Sequence, residues 1–235
     1  DVSQELIIHE VDCAKPGMPI PGMYVKAFMD GKEVIESLQE RITGRYICEN
    51  IVDKDGNAAS VTTTLNGSYG SLVVVGGAGF LLNNEMDDFS VKPGTPNMYG
   101  LVGGKANAIQ PQKRMLSSMT PSILEKNGKL FMVVGTPGGS TIITSVFQTI
   151  LNVVDFGMTM QEAVAAPRFH HQWLPDQVDY EPNAISNNVR ESLKQKGYIL
   201  KERKAYGRVD GILVNPNGTY QGGAESRGDD KIEGY

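Results

Sequence analysis

Apolar residues recur at Ile142, Ile143, Val146, Phe147, Ile150, Leu151 and Val154, a spacing of roughly 3.6 residues. The stripe is wide enough to predict a buried helix. Directly after it, "TMQEAVAAPRF" predicts a second helix, with Thr159 as N-cap and Pro167 as stop. "SNNVRESLKQKG" is amphipathic at the same period and ends at Gly197, a favourable C-cap. Elsewhere the pattern shortens to alternation and runs of β-formers. "VDKDGNAASVTTTLN" reads as strand, Asp-Gly-Asn turn, strand, the second arm loaded with β-branched residues. "MTPSILEKNGKLFMVVGTPGG" is a hairpin turning at Asn-Gly, and "GRVDGILVNPNGTYQGGAES" another turning at Asn217–Gly218. "SLVVVGGAGFLLNNEMDDFS" predicts a short buried strand, a glycine turn and an acidic loop. Residues 90–114 are rich in Pro and Gly and lack periodicity. A loop of that length is functional or disordered.

The first fifty residues have a different texture. "ELIIHEV" at 5–11 is rich in β-formers, "KPGMPIPG" at 15–22 is a turn cluster, and "MYVKAFM" alternates up to Asp30–Gly31, a strong hairpin signal. "KEVIESLQERI" predicts a strand running into a short helix, and "GRYICENI" at 44–51 another strand. We therefore divide the chain into a β-rich segment, 1–50, and a larger unit, 51–235. In that unit strands precede helices and helices precede strands, which is an α+β order.

Composition narrows the function. The 235 residues carry a formal net charge of -5, which argues against nucleic acid, since phosphate binding needs clustered Lys and Arg. No stretch approaches the ~20 apolar residues of a membrane-spanning helix. Asp1 is not a start residue, so any targeting segment lies outside this sequence. Cys13 and Cys48 fit neither a disulfide framework nor a zinc site; they are one disulfide or two isolated thiols. His9, His170 and His171 are too scattered for a metal cluster. Adjacent histidines on one strand point to opposite faces, and both read as structural.

Several short stretches can carry chemistry. "GTPGGS" lies between a strand and the start of the long helix. Its glycines expose backbone N–H groups at the positive end of a helix dipole, which suits an oxyanion; the plainer reading is a tight strand-to-helix turn. The missing Lys and following Ser or Thr argue against a phosphate loop. "NNEMDDF" gathers Glu85, Asp87 and Asp88, which can hold a cation or form a solvated turn. "KRMLSSMTP" presents Ser117 and Ser118, which can donate to a carboxylate or serve turn chemistry.

Taken in order, "VDKDGNAASVTTTLNGSYGS", "GFLLNNEMDDFS", "NMYGLVGG", "KRMLSSMTP", "VGTPGGSTIITSVFQ", "APRFHHQWLPD" and the closing "GY" resemble the small, catalytic subunit of γ-glutamyltranspeptidases. The resemblance implies the four-layer αββα sandwich of the N-terminal nucleophile hydrolases. It implies γ-glutamyl transfer or hydrolysis through a γ-glutamyl-enzyme, from glutathione or a similar donor to an amino acid, peptide or water. By it, Asn66, Glu85 (Gln in some members) and Asp88 meet the α-amino end of the glutamyl group. Ser117 and Ser118 meet its α-carboxylate, Gly138 and Gly139 form the oxyanion hole, and Tyr99 belongs to a lid. No metal or organic cofactor is implied. The implied partners are a γ-glutamyl substrate and the large subunit of the same precursor, and the implied location is periplasmic or extracellular.

The chain departs from the family in its nucleophile. The small subunit there begins at a Thr freed by self-cleavage, in Thr-Thr-His-x-x-Val-Val-Asp, because the attacking hydroxyl uses its own α-amino group as base. Aligned back from Asp53, those positions hold Tyr46, Ile47 and Cys48. Residues 1–50 instead resemble a transthyretin-like or carboxypeptidase-regulatory β module, in which Thr43 is a turn residue. Thr43 would act as nucleophile only if the chain were cut before it. The rival reading is an inactive γ-glutamyl-binding homologue with a replaced first strand.

Overall fold

The computed structural model describes residues 27–29, 32–34, 47–228 and 230–232. Cys13, His9, Thr43 and Tyr46 lie outside them, as do the turn cluster at 15–22, the helix expected after Val34 and the closing Gly234–Tyr235. Strands β1 (Ala27–Met29) and β2 (Lys32–Val34) pair antiparallel, with Met29 opposite Lys32; the Asp30–Gly31 turn expected from the sequence lies outside the described residues.

Strands β3 (Ile47–Val52) and β4 (Ala58–Thr63) form the hairpin that the Asp-Gly-Asn turn announces. Its first arm reaches back to Ile47, and Cys48 stands opposite Thr62. Asp53 closes the turn: its Oδ1 accepts from the amides of Asp55 and Asn57 at 2.9 Å, while Gly56 takes φ +84°. Such side-chain acceptors replace ladder bonds that a turn cannot make.

Next come β5 (Ser122–Lys126) and β6 (Lys129–Gly135), joined by Asn127 and Gly128, both at positive φ. That is the primed turn whose twist matches its strands. With β10 (Asp210–Val214) and β11 (Tyr220–Gly223) they make an antiparallel sheet in the order β11-β10-β6-β5. Helices α1 (Ile142–Val154) and α2 (Met160–Ala165) pack on one side of this sheet, and the β3–β4 hairpin on the other. Strand β6 is thus covered on both faces, and Met132, Val133 and Val134 are all fully buried. The core under the helices joins Met132 and Val134 to Ile142, Val146, Val153, Met160, Ala163, Val164 and Val209. At roughly 25 cal/mol per Å² of apolar area removed from water, this cluster is a principal stabiliser. Thr159 caps α2, as the sequence predicts, and does so in a reciprocal box with Glu162 that the sequence reading does not name.

A further sheet joins β7 (Phe169–His170), β8 (Val178–Tyr180) and β9 (Leu200–Glu202), with α3 (Asn187–Gln195) between the parallel strands β8 and β9. Gly197 ends α3 at φ +89°. Two expectations are corrected. The run after Ser71 is no buried strand: it makes one isolated bridge, Val74 to Leu81, and Val73 and Val74 are 51% and 61% exposed. β-branched residues favour a pleat, but without a neighbouring strand to bury them the run stays a loop. Helix α1 is only half buried in this chain, since Ile143, Phe147 and Val154 face solvent.

Candidate active site

The strand-to-helix turn after β6 is built as the glycines demand. Gly138 and Gly139 take φ +144° and +59°, so the chain doubles back and a short 3-10 turn, Gly139–Thr141, leads into α1. A Cβ at Gly138 would stand 2.9 Å from Thr141 Oγ1; one at Gly139 would stand 2.6 Å from the ring of Tyr99. Neither position accepts another residue without displacement. Successive backbone N–H groups bent this way form a concave anion site at a helix N-terminus.

Tyr99 closes over that turn. Its hydroxyl donates to the carbonyl of Asn66 at 2.6 Å, so one side chain spans from the glycines to the end of the β4 arm. Asn66 is buried at φ +70°, its amide bonded to Thr64 Oγ1 and its Nδ2 donating to the carbonyl of Asn84. Asn84 Oδ1 in turn accepts from the amide of Gly67 at 2.8 Å. These ties set Asn66 beside the 3-10 turn Glu85–Asp88. On the other flank, Ser118 Oγ donates to the carbonyl of Gly139 at 3.1 Å. Ser117 is exposed, and its Oγ accepts from the amide of Met119.

The acidic turn divides its labour. Asp87 Oδ2 accepts from the amide of Met98 at 3.1 Å, tying the turn to the Tyr99 segment. Glu85 and Asp88 are each partly buried. Burial raises the pKa of Glu85 and the Asp88 charge adds to it; burial and then Asp87 raise that of Asp88. Carboxylates held partly dehydrated and repelling one another are relieved by a cation, and a substrate ammonium is a fitting one. Among the described residues no group of three His, Cys, Asp or Glu side chains is arranged to hold a metal ion.

The long loop is ordered by side-chain amides. Asn97 Oδ1 accepts from the amides of Tyr99 and Leu101 at 3.0 Å, and Asn107 Nδ2 donates to the carbonyl of Asp88 at 2.7 Å. Sequence reasoning names Asp87 among the acidic residues of its loop but does not single out Asn97 or Asn107. Asn before a Gly-containing turn is the one signal that could have found Asn97.

Below Tyr99 lies a cavity of about 240 Å³, lined by Met98, Ser140, Thr141, His170, Gln172 and Arg203 among others. His170 faces it from β7, buried, whereas His171 is turned out to Asp176. Behind β7 is a buried ionic ring. Arg168 donates to Glu225 at 2.7 Å; Arg227 bridges Glu225 and Glu181; Glu181 accepts from the amides of Arg168 and Tyr206.

Asn66, Tyr99, Ser118 and the two glycines are thus one constellation, drawn from four separate segments. A model of the γ-glutamyltranspeptidase family matches residues 40–235. The chain belongs to the γ-glutamyltranspeptidase family. It is 58% identical over 156 residues to a glutathione hydrolase proenzyme of Pseudomonas aeruginosa, covering 66% of this chain and 28% of that protein. It is 51% identical over 187 residues to the glutathione hydrolase proenzyme of Escherichia coli, covering 79% and 32% respectively. A solved Helicobacter pylori γ-glutamyltranspeptidase mutant superposes with a TM-score of 0.74 at 52% identity, over 77% of this chain and 99% of that one. The match therefore spans about a third of the curated relatives. The γ-glutamyltranspeptidase match begins before β3, so the whole β3–β4 hairpin lies within it.

Proposed function

We propose that the chain is the γ-glutamyl-handling part of a γ-glutamyltransferase or glutathione hydrolase. The observation that carries this is the bridge of Tyr99 between Asn66 and Gly139, with Ser118 fixed to the same glycine. On this reading a γ-glutamyl zwitterion lies with its ammonium at Asn66, Glu85 and Asp88 and its carboxylate at Ser117 and Ser118. Its γ-carbonyl oxygen then meets the backbone N–H groups at Gly138 and Gly139, where negative charge develops in acyl transfer. The ionic grip at one end fixes the carbonyl at the other, which is how remote binding energy lowers a barrier. The reaction needs no metal or organic cofactor.

The finer architecture belongs to the same proposal. The exposed Ile143, Phe147 and Val154 of α1 give it an apolar outer face. In a four-layer αββα sandwich that face is covered, and the large subunit supplies the cover. Among the described residues no helix is long and apolar enough to cross a membrane, and we propose a periplasmic or extracellular location.

A second reading has its own observation. Tyr46, Ile47 and Cys48 stand where the family's attacking strand begins, which favours a protein that binds γ-glutamyl compounds without forming an acyl-enzyme. Incubating the full protein with a γ-glutamyl anilide and measuring intact mass separates the two. Released aniline with a glutamyl adduct supports the enzyme. Saturable binding with no turnover, chain cleavage or adduct overturns it in favour of the second reading.

A further inference from the structure

We propose that Gln172 is a positioning residue that sets the height of the Tyr99 segment over the glycine turn. The proposal rests on the γ-glutamyl reading only for its kinetic consequence. The Gln172 carboxamide works from both ends. Its Nε2 donates to the carbonyl of Tyr99 at 2.8 Å and to that of Leu174 at 3.0 Å, while its Oε1 stands 2.8 Å from His170 Nε2. Because Nε2 spends its protons on two carbonyls, Oε1 is the acceptor and His170 Nε2 carries the proton. The neutral ring then accepts at Nδ1 from the Thr144 hydroxyl, 2.8 Å away, which turns that proton from the longer contact of 3.1 Å to the Thr141 carbonyl. Thr144 lies in the first turn of α1, directly beyond Gly139–Thr141.

The contacts close a ring: Gly139, Tyr99, Gln172, His170, Thr144 and back along the helix start to Gly139. A ring of this kind fixes the distance between lid and glycines from two sides, by ring packing above and by hydrogen bonds behind. The second side matters because the space beneath Tyr99 is the 240 Å³ cavity rather than packed core. Where no apolar side chain fills the gap, a directional hydrogen bond sets the position of the backbone. Gly100, at the left-handed φ of +77°, carries the chain past this point, where a Cβ would make only ordinary contact with Gln172 Nε2 at 3.6 Å and Pro175 at 3.4 Å.

The test compares Gln172→Leu and Gln172→Glu with wild type in the full protein. Glutamate retains the acceptor for His170 and loses the donors to Tyr99 and Leu174. We expect amides 99–101 to exchange hydrogen about fivefold faster or more in both variants, with melting temperature little changed. KM for a γ-glutamyl anilide is expected to rise by a similar factor while kcat changes less. Unchanged exchange at 99–101 in a folded variant overturns the proposal, as does faster exchange spread evenly over the chain. Wild type without turnover would fail the γ-glutamyl reading alone, because the exchange result stands independently.

Discussion

The phenol of Tyr99 donates to the backbone carbonyl of Asn66 at 2.6 Å, and its ring leaves no room for a side chain at Gly139. The end of the β4 arm and the start of α1 are thereby joined by one residue of an irregular loop. Tyr99→Phe removes the hydrogen bond and keeps the ring. A net loss of about 1 kcal/mol corresponds to a rise of about fivefold in KM for a γ-glutamyl anilide. An unchanged KM would show that the bond does not hold the lid in solution.

Gly139→Ala tests the close approach directly. The new Cβ meets the Tyr99 ring and sits at φ +59°, a conformation costing L-residues about 1–2 kcal/mol. We expect the protein to fold and kcat/KM to fall by about 100-fold or more. The companion Tyr99→Ala/Gly139→Ala double variant relieves the clash and is expected to regain stability without regaining activity.

Glu85 and Asp88 make a pH prediction. Both pKa values are raised, so the folded state holds protons that the unfolded chain releases. Their ionisation therefore costs stability as pH rises from the unfolded values through the folded ones, and attraction for an ammonium grows over the same window. Burial is the larger cause of the Glu85 shift and the Asp88 charge adds to it, so in Asp88→Asn the Glu85 titration followed by NMR should move part of the way toward the ordinary glutamate value.

Sequence and structure agree where local chemistry decides the outcome. The N-cap at Thr159, the Asn127–Gly128 turn and the existence of helix α1, though not the full burial expected of it, follow from neighbouring residues alone. The 71–75 run misleads because burial depends on a partner strand, and no local pattern reveals that none is beside it. Family motifs point to Asn66, Tyr99, Ser118 and the glycines, but not to how they meet. That depends on amides far apart in sequence, such as Asn97 inside the loop and Gln172 behind it.

The ionic ring behind β7 has one fully buried pair, Arg168 with Glu225. Removing one member leaves a charge without its counter-charge, so Glu225→Gln should lower unfolding free energy by about 3–5 kcal/mol. Chemical denaturation reads this. A loss under 1 kcal/mol would show that Glu181 and the carbonyls of Tyr206 and Val164 suffice for Arg168.

Asp210 is pushed up to about 7 from 3.8 by burial and then by Asp230. Here too the native state keeps its proton longer, so this group's contribution to stability is lost as pH rises between those values. Asp210→Asn should raise Tm on the order of 3 °C at pH 8 and leave it unchanged at pH 4. A gain of equal size at both pH values would contradict the assignment.

The most direct measurement titrates the full protein calorimetrically with glutathione and with the glutaryl analogue that lacks the α-ammonium, in wild type and Asp88→Asn. We expect wild type to bind glutathione at least about tenfold more tightly than the analogue, a difference of 1.4 kcal/mol, and Asp88→Asn to erase most of that preference. Equal affinity for both ligands, with no effect of Asp88→Asn, would contradict the γ-glutamyl site.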